Sequence, residues 1–193
     1  MESIDAAADW VLRLMDELGI GEFEVLGHSM GGYIAAAMCV REPERITGLT
    51  LLHSTALGDT VAKVAERNKA IRFVERNGKG PYLRAFVRGL FAEPKTEWVA
   101  ELDRIVGQVD ERALLGFVRA MRDRPSRLHA LRATGIPTAY ITGALDSIVL
   151  PERNEAELKA WPEAESVWFP RASHMAMYES GEELLHFIQT KSS

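Results

Sequence analysis

Ser29 lies in the run Gly27-His28-Ser29-Met30-Gly31-Gly32, which fits the G-x-S-x-G pattern of a nucleophile elbow. In such an elbow a strained turn between a strand and a helix lifts the hydroxyl clear of the sheet. Side chains two positions to either side would meet neighbouring backbone, which predicts a need for glycine at 27 and 31. The flanks agree with that geometry, because a short run from Phe23 to Leu26, apolar apart from Glu24, precedes the turn and a helical stretch from Tyr33 to Val40 follows it. A serine hydroxyl at its ordinary acidity is a poor nucleophile, so a base must take its proton and a third group must orient that base. Asp146, in Gly143-Ala144-Leu145-Asp146, and His174, in Ala172-Ser173-His174-Met175, each follow a later strand-like run. The order Ser, Asp, His is the one such an elbow uses. These three side chains together suit attack by Ser29 on an acyl carbon, with His174 as base and Asp146 as its orienting partner.

Plainer readings stand beside these. Asp146 is alternatively a turn cap ahead of Pro151, since an Asp side chain bonds readily to nearby amides, and His174 is alternatively a surface loop histidine. His28 adjoins the nucleophile on a sharp turn, so it points elsewhere and reads as packing, with a pocket wall as its other reading. His53 ends the second strand at the same rim and reads either as a pocket-lining residue or as a loop histidine. Phe91, with Phe73, Tyr82, Phe86 and Trp98, reads as pocket wall or as packing of amphipathic helices. His129 and His186 lie on helical patterns and are expected to face solvent. No His-x-x-x-His or paired-cysteine spacing occurs, so no metal is expected, and no motif calls for a cofactor. Cys39 is the single cysteine and lies in an apolar run, where it reads as a small buried hydrophobe.

The elements that must position these residues alternate in type. Ser3 caps a helix in which Ile4, Ala8, Val11, Leu12, Met15 and Leu18 recur at helical spacing, with Gly19 to stop it. The helix after Ser29 ends near Glu42-Pro43, since proline cannot continue it. Ile46 to Leu52, Pro137 to Thr142 and Ser166 to Phe169 are further β-prone runs with helical patterns between them, which argues for a parallel sheet covered on both faces. From Asp59 to Asp123 the alternation breaks into charged helices: Val61 to Asn77, Tyr82 to Leu90, Thr96 to Val106 and Glu111 to Arg122. Asn77-Gly78-Lys79-Gly80-Pro81 reads as a turn between two of them, and because it follows a helix it is not a phosphate loop. The expected fold class is α/β, a three-layer αβα arrangement with a reduced parallel sheet of about four strands and an inserted helical cap. Residues 1–58 are assigned to the first part of the core with the elbow, 59–125 to the cap, and 126–193 to the second part of the core with Asp146 and His174.

The bulk properties narrow the partners. The net charge is −5 with Lys and Arg scattered along the chain, so neither a nucleic-acid footprint nor a polybasic membrane patch is expected. No apolar stretch approaches the length of a membrane span. The start carries Glu2, Asp5 and Asp9 in place of the basic and then apolar regions of a secretory signal, so a cytoplasmic location is the expectation.

The elbow, the Gly-Ala-Leu-Asp after a strand and the Ser-His-Met before the last helix resemble the α/β-hydrolase superfamily, especially its small esterase-like members. Leu51-Leu52-His53-Ser54-Thr55-Ala56, followed by Asp59 and Asn68, is similar to bacterial members with a helical cap. The resemblance covers practically the whole chain. It implies Ser29 as nucleophile, Asp146 as acid, His174 as base and the Met30 amide as one oxyanion donor. Members of the superfamily carry several more strands before the elbow strand, with a His-Gly loop that supplies a second oxyanion amide, and nothing before Phe23 here matches them. Phe23 to Leu26, expected to be buried on both faces, would then lie at an open sheet edge, to be covered by a missing segment or by a second copy in a homodimer. The implied function is hydrolysis of a small carboxylic ester through an acyl-enzyme. The alternative is a truncated, weakly active or non-catalytic binding fragment that needs a missing N-terminal segment or partner chain. Thioester hydrolysis, carbon–carbon bond hydrolysis and perhydrolysis use the same three residues. A serine at the elbow argues against dehalogenase and epoxide-hydrolase chemistry, for which related proteins use an aspartate.

Overall fold

In a computed structural model that describes residues 2–191, helices cover both faces of one parallel sheet. The first helix, α1 (Ile4–Glu17), starts where the Ser3 hydroxyl accepts from the Ala6 N–H at 3.0 Å, and it buries Ile4, Ala7, Ala8 and Leu12. Leu18, expected on that buried stripe, falls beyond the last turn and is 60% exposed. Strand β1 (Phe23–His28) leads through Ser29 into α2 (Met30–Arg41), whose small residues Ala35, Ala36 and Ala37 let it lie close against the sheet. Cys39 is fully buried on this helix, and burial pushes its thiol up to about 12, which keeps it inert. A short 3-10 turn at Pro43–Arg45 then feeds β2 (Ile46–Leu52).

Four helices separate β2 from the next strand: α3 (Val61–Asn77), α4 (Lys79–Arg88), α5 (Thr96–Gly107) and α6 (Glu111–Asp123). Ile71 and Val74 of α3 pack on Leu83 of α4 and on Leu114 and Val118 of α6, so this block has its own apolar centre. The expected turn at 77–81 shrinks to Gly78 alone. Its φ of 75° is a backbone state that glycine adopts without a Cβ penalty, and Gly80 and Pro81 fall inside the first turn of α4, where a missing N–H costs nothing. At the junction with the sheet, the Arg124 guanidinium donates to Asp59 Oδ1 at 2.7 Å and to the Leu57 carbonyl at 3.1 Å.

The chain then forms α7 (Leu128–Ala133), β3 (Thr138–Gly143), α8 (Pro151–Ala160), β4 (Glu165–Phe169), α9 (Ala176–Glu179) and α10 (Gly181–Lys191). Helix α7 has too short a pattern to stand out in the sequence. Among the described residues the strands form one sheet in the order β1-β2-β3-β4, and every neighbouring pair is parallel. Alternation along the strands divides the core. Leu49, Leu51 and Tyr140 pack towards α1 and α2, while Leu52, Ala139, Ile141 and Phe169 pack towards α9 and α10. The expectation that β1 is buried on both faces does not hold: Phe23 and Val25 pack against the first core, but Leu26 on the opposite face is 41% exposed. The reason is position, because β1 is an edge strand and the α10 side of the core ends at Leu52 of β2. Ser29, Asp146 and His174 all follow the carboxyl ends of strands in this sheet, which brings them to one rim.

Candidate active site

Ser29 has φ 53° and ψ −119°, a state that costs a non-glycine residue on the order of 1–3 kcal/mol. Three bonds hold it there. Its N–H donates to the Leu52 carbonyl at 3.0 Å, and its own carbonyl accepts from the Gly32 N–H at 3.0 Å and from the Ser54 hydroxyl at 2.8 Å. Its side chain makes no capping bond to α2 and stays available. A Cβ at Gly27 would lie 2.5 Å from the Gly31 oxygen and the Gly32 Cα, so glycine is obligatory there. The expected collision at Gly31 is absent, with nothing within 4 Å of a Cβ, and the second crowded position is instead Gly32, against Ser54 Oγ at 2.2 Å. The elbow presses its inner side against the loop after β2, and residue 31 faces the other way.

His174 Nε2 lies 2.8 Å from Ser29 Oγ, and His174 Nδ1 lies 2.8 Å from Asp146 Oδ2. Both His174 and Asp146 are buried, with 1% and 3% exposure. With Nδ1–H donating to the carboxylate, Nε2 presents its lone pair to the serine hydroxyl. The geometry accommodates both readings of Asp146, as turn cap and as partner of His174, because the two oxygens divide the work. Oδ1 accepts from the Ile148 N–H at 2.8 Å and the Val149 N–H at 3.0 Å, leaving Oδ2 for the imidazole. Burial alone would raise the pKa of this carboxyl, but the bond from His174, the nearby His53 ring and the Val149 amide outweigh it and hold the group well below the usual carboxylate range. The site is also stitched to the helical block. The His174 N–H donates to the Leu90 carbonyl at 3.0 Å, and Glu179 accepts from the Ser173 and Ala92 N–H groups, each at 2.7 Å.

The residues named as pocket walls have other places. His28 holds the His174 main chain, its Nε2–H donating to that carbonyl at 2.8 Å, and burial followed by the neighbouring His174 ring pushes its pKa down to about 4. It is therefore neutral near pH 7, but with Nε2–H committed to that carbonyl and so low a proton affinity it is a poor second base for Ser29. His53 is 1% exposed, with its Nδ1 3.3 Å from Asp146 Oδ2, and so sits behind the carboxylate and not on an open wall. Phe91 is buried in a ring cluster with Trp98 and Tyr178, at 5.6 and 5.8 Å between centroids, where the helical block meets the His174 segment. Phe73 and Phe86 are 44% and 38% exposed. A recess of about 320 Å³ lined by Arg88, Pro94, Thr96, Val99, Ala100 and Asp103 contains none of the three catalytic candidates. Sequence reasoning missed the roles of Ser54 and Glu179. Ser54 carried a usable signal, because it follows β2 beside a strand-to-helix turn whose glycines demand a close neighbour.

No helix among the described residues is long and apolar enough to cross a membrane. A family model described as the alpha/beta hydrolase fold matches residues 2–181. Among curated proteins, the chain is 28% identical to the dihydrolipoyllysine-residue acetyltransferase component of the acetoin cleaving system of Pseudomonas putida, over 94% of this chain and 48% of that protein. It is 27% identical to a 2-hydroxy-6-oxononadienedioate/2-hydroxy-6-oxononatrienedioate hydrolase of a Pseudomonas species, over 91% of this chain and 64% of that one. The chain thus spans from about half to under two thirds of the length of these relatives. Among solved structures, a thermophilic esterase from Thermogutta terrifontis superimposes with a TM-score of 0.88 at 26% identity, covering 97% of this chain and 71% of the esterase.

Proposed function

The chain belongs to the α/β-hydrolase fold family, and on that premise we propose that it is a serine hydrolase cleaving small carboxylic esters through an acyl-enzyme. The observation that carries this reading is the unbroken relay of two 2.8 Å contacts from Ser29 Oγ through His174 to Asp146 Oδ2, with the serine on a strained elbow. As Ser29 Oγ attacks the ester carbon, His174 Nε2 takes its proton, and Asp146 stabilises the resulting imidazolium. The negative charge that develops on the carbonyl oxygen is directed to the Met30 N–H at the first turn of α2, the oxyanion donor the resemblance implies. Collapse of this intermediate expels the alkoxide, which takes the proton from Nε2 and leaves as the alcohol. Water, deprotonated by the same Nε2, then releases the acid and restores Ser29. An activated aryl ester should give a burst of phenol and then slower turnover, and a fluorophosphonate should label Ser29. Both signals should vanish in Ser29→Ala. A chain that neither bursts nor labels at any pH from mildly acidic to mildly alkaline is not a serine hydrolase.

The exposed face of β1 favours a second reading, a ligand-binding fragment that another segment or a second copy completes. Thermal stabilisation by a small acid or ester without turnover supports it, whereas steady turnover by a monomer rules it out.

A further inference from the structure

Behind the candidate carboxylate lies a second imidazole whose chemistry the relay leaves unexplained. His53 directly follows β2, is 1% exposed and has a φ of 46°, a left-handed state that the surrounding structure must impose. Its main-chain N–H donates to the Ile141 carbonyl of β3 at 2.9 Å, which fixes the ring from the neighbouring strand. Gly143 makes room for it, since a Cβ there would lie 2.7 Å from His53 Cε1. The Gly143 N–H donates to Nδ1 at 3.3 Å, and Nδ1 also lies 3.3 Å from Asp146 Oδ2, while Nε2 is buried without a partner among the described residues.

The two neighbours of Nδ1 demand opposite tautomers. With the proton on Nε2, Nδ1 accepts from the Gly143 N–H, but the Nε2–H is stranded in the interior and a ring lone pair faces a carboxylate oxygen. With the proton on Nδ1, the ring donates to Asp146 Oδ2, and what stays unpaired is the Nε2 lone pair and the Gly143 amide. Hydrogen bonds to an ionised group are about twice as strong as neutral ones, and the first arrangement turns that attraction into repulsion. The carboxylate also has a place for this donor. Two amides occupy Oδ1 and His174 occupies one position on Oδ2, so His53 fills the last of its roughly four acceptor sites.

We propose that His53 is a positioning residue that carries its proton on Nδ1 and donates it to Asp146 Oδ2, so that the carboxylate is clamped between two histidines. The clamp acts on the reaction in two ways. It stops the carboxylate from turning away from His174, and it engages part of the negative charge that would otherwise hold a proton on His174. Its effect on rate rests on the serine-hydrolase reading, whereas the hydrogen bond itself does not.

The test begins with long-range proton–nitrogen spectra of the ¹⁵N-labelled chain at neutral pH. His53 should carry its proton on Nδ1, in contrast to His28, whose bond to the His174 carbonyl demands Nε2–H. Kinetics on an activated aryl ester then compare His53→Gly with His53→Asn, two residues that accept a left-handed backbone, of which only Asn keeps an N–H donor in the δ position. His53→Gly should lower kcat about tenfold, the scale seen when an outer hydrogen-bond partner of a ligating histidine is lost. KM should stay within about twofold, because the lost interaction serves the transition state. The acid limb of the pH profile should move up, since the carboxylate charge then bears on His174 alone. His53→Asn should restore most of the rate and the position of the limb, an outcome that mere loss of packing would not produce. An Nε2–H tautomer at His53 overturns the proposal, and so does a glycine variant whose acid limb stays in place. If the wild-type chain neither labels nor turns over, the hydrolase reading falls, and the tautomer alone decides the clamp.

Discussion

An imidazole next to the proposed base has to be kept out of the proton traffic, and His28 illustrates how. Its Nε2–H is committed to the His174 carbonyl, and burial followed by repulsion from the neighbouring ring holds it neutral down to about pH 4, against an ordinary value of 6.5. The unfolded chain therefore binds a proton at this residue below 6.5 that the folded chain refuses until about 4. Between those values stability falls as the pH falls, and the full cost, on the order of 3 kcal/mol, is present below the lower one. His28→Gln retains an ε N–H donor and removes the titration. Urea midpoints of the two proteins should coincide near pH 7.5, and the parent should lose more stability than the variant on acidification from 6.5 to 4; parallel loss in both would show that His28 does not titrate this way. At this scale the sequence singles out Ser29, Asp146 and His174 as candidates, because a glycine-bracketed serine and the order of its partners are local or ordinal signals. His28 and His53 escape it, since a histidine carries no mark of a partner that stands 146 positions away, as the His174 carbonyl does from His28.

The elements show the same divide between patterned and unpatterned contacts. Strands β2 and β3 fall within a residue of their expected bounds because each is a continuous β-prone run, and α3 and α6 follow from their helical spacing. Helix α8 gives no such clue, for the face it buries is polar: Asn154 and Glu157 are 1% and 0% exposed. Glu157 accepts from the Ala56 N–H at 3.1 Å, the Leu57 N–H at 3.2 Å and the Thr55 hydroxyl, and the Asn154 side-chain amide donates to the Ser54 carbonyl at 2.8 Å. One turn of helix thereby fixes the segment whose Ser54 hydroxyl steadies the Ser29 carbonyl. Glu157→Leu would leave the Ala56 amide and the Thr55 hydroxyl buried without an acceptor, each at a cost of roughly 1–3 kcal/mol. Denaturant titration at neutral pH should show a loss of about 3 kcal/mol or more, with turnover reduced in the fraction that stays folded. Glu157→Gln, which keeps one oxygen as acceptor, should lose distinctly less. Equal stability of the leucine variant and the parent would mean that α8 docks by other means.

At the scale of the whole molecule, the two sheet edges are protected unequally. The β4 edge is five residues long, and Glu165 at its start pairs with Lys191 of α10, a charged guard against pairing with another strand. The β1 edge is longer and shows Leu26 at 41% exposure beside a single acidic residue, Glu24, on the same face. Trp10 and Leu18 of the α1 segment add further exposed apolar surface, each at 60%. A net charge of −5 opposes close approach of two copies only weakly once salt screens it. Backbone groups along an open edge, next to apolar side chains, favour association through β1, and the tendency should grow with ionic strength as repulsion fades. Light scattering across a dilution series should therefore give a mass that rises with concentration, and more steeply in high salt. Leu26→Lys adds a charge on the exposed face without touching the packed side of the strand, so it should return the mass to that of a single chain and leave the melting temperature unchanged. A parent that scatters as one chain at every concentration and salt level would show that Glu24 and the twist of the strand protect this edge unaided.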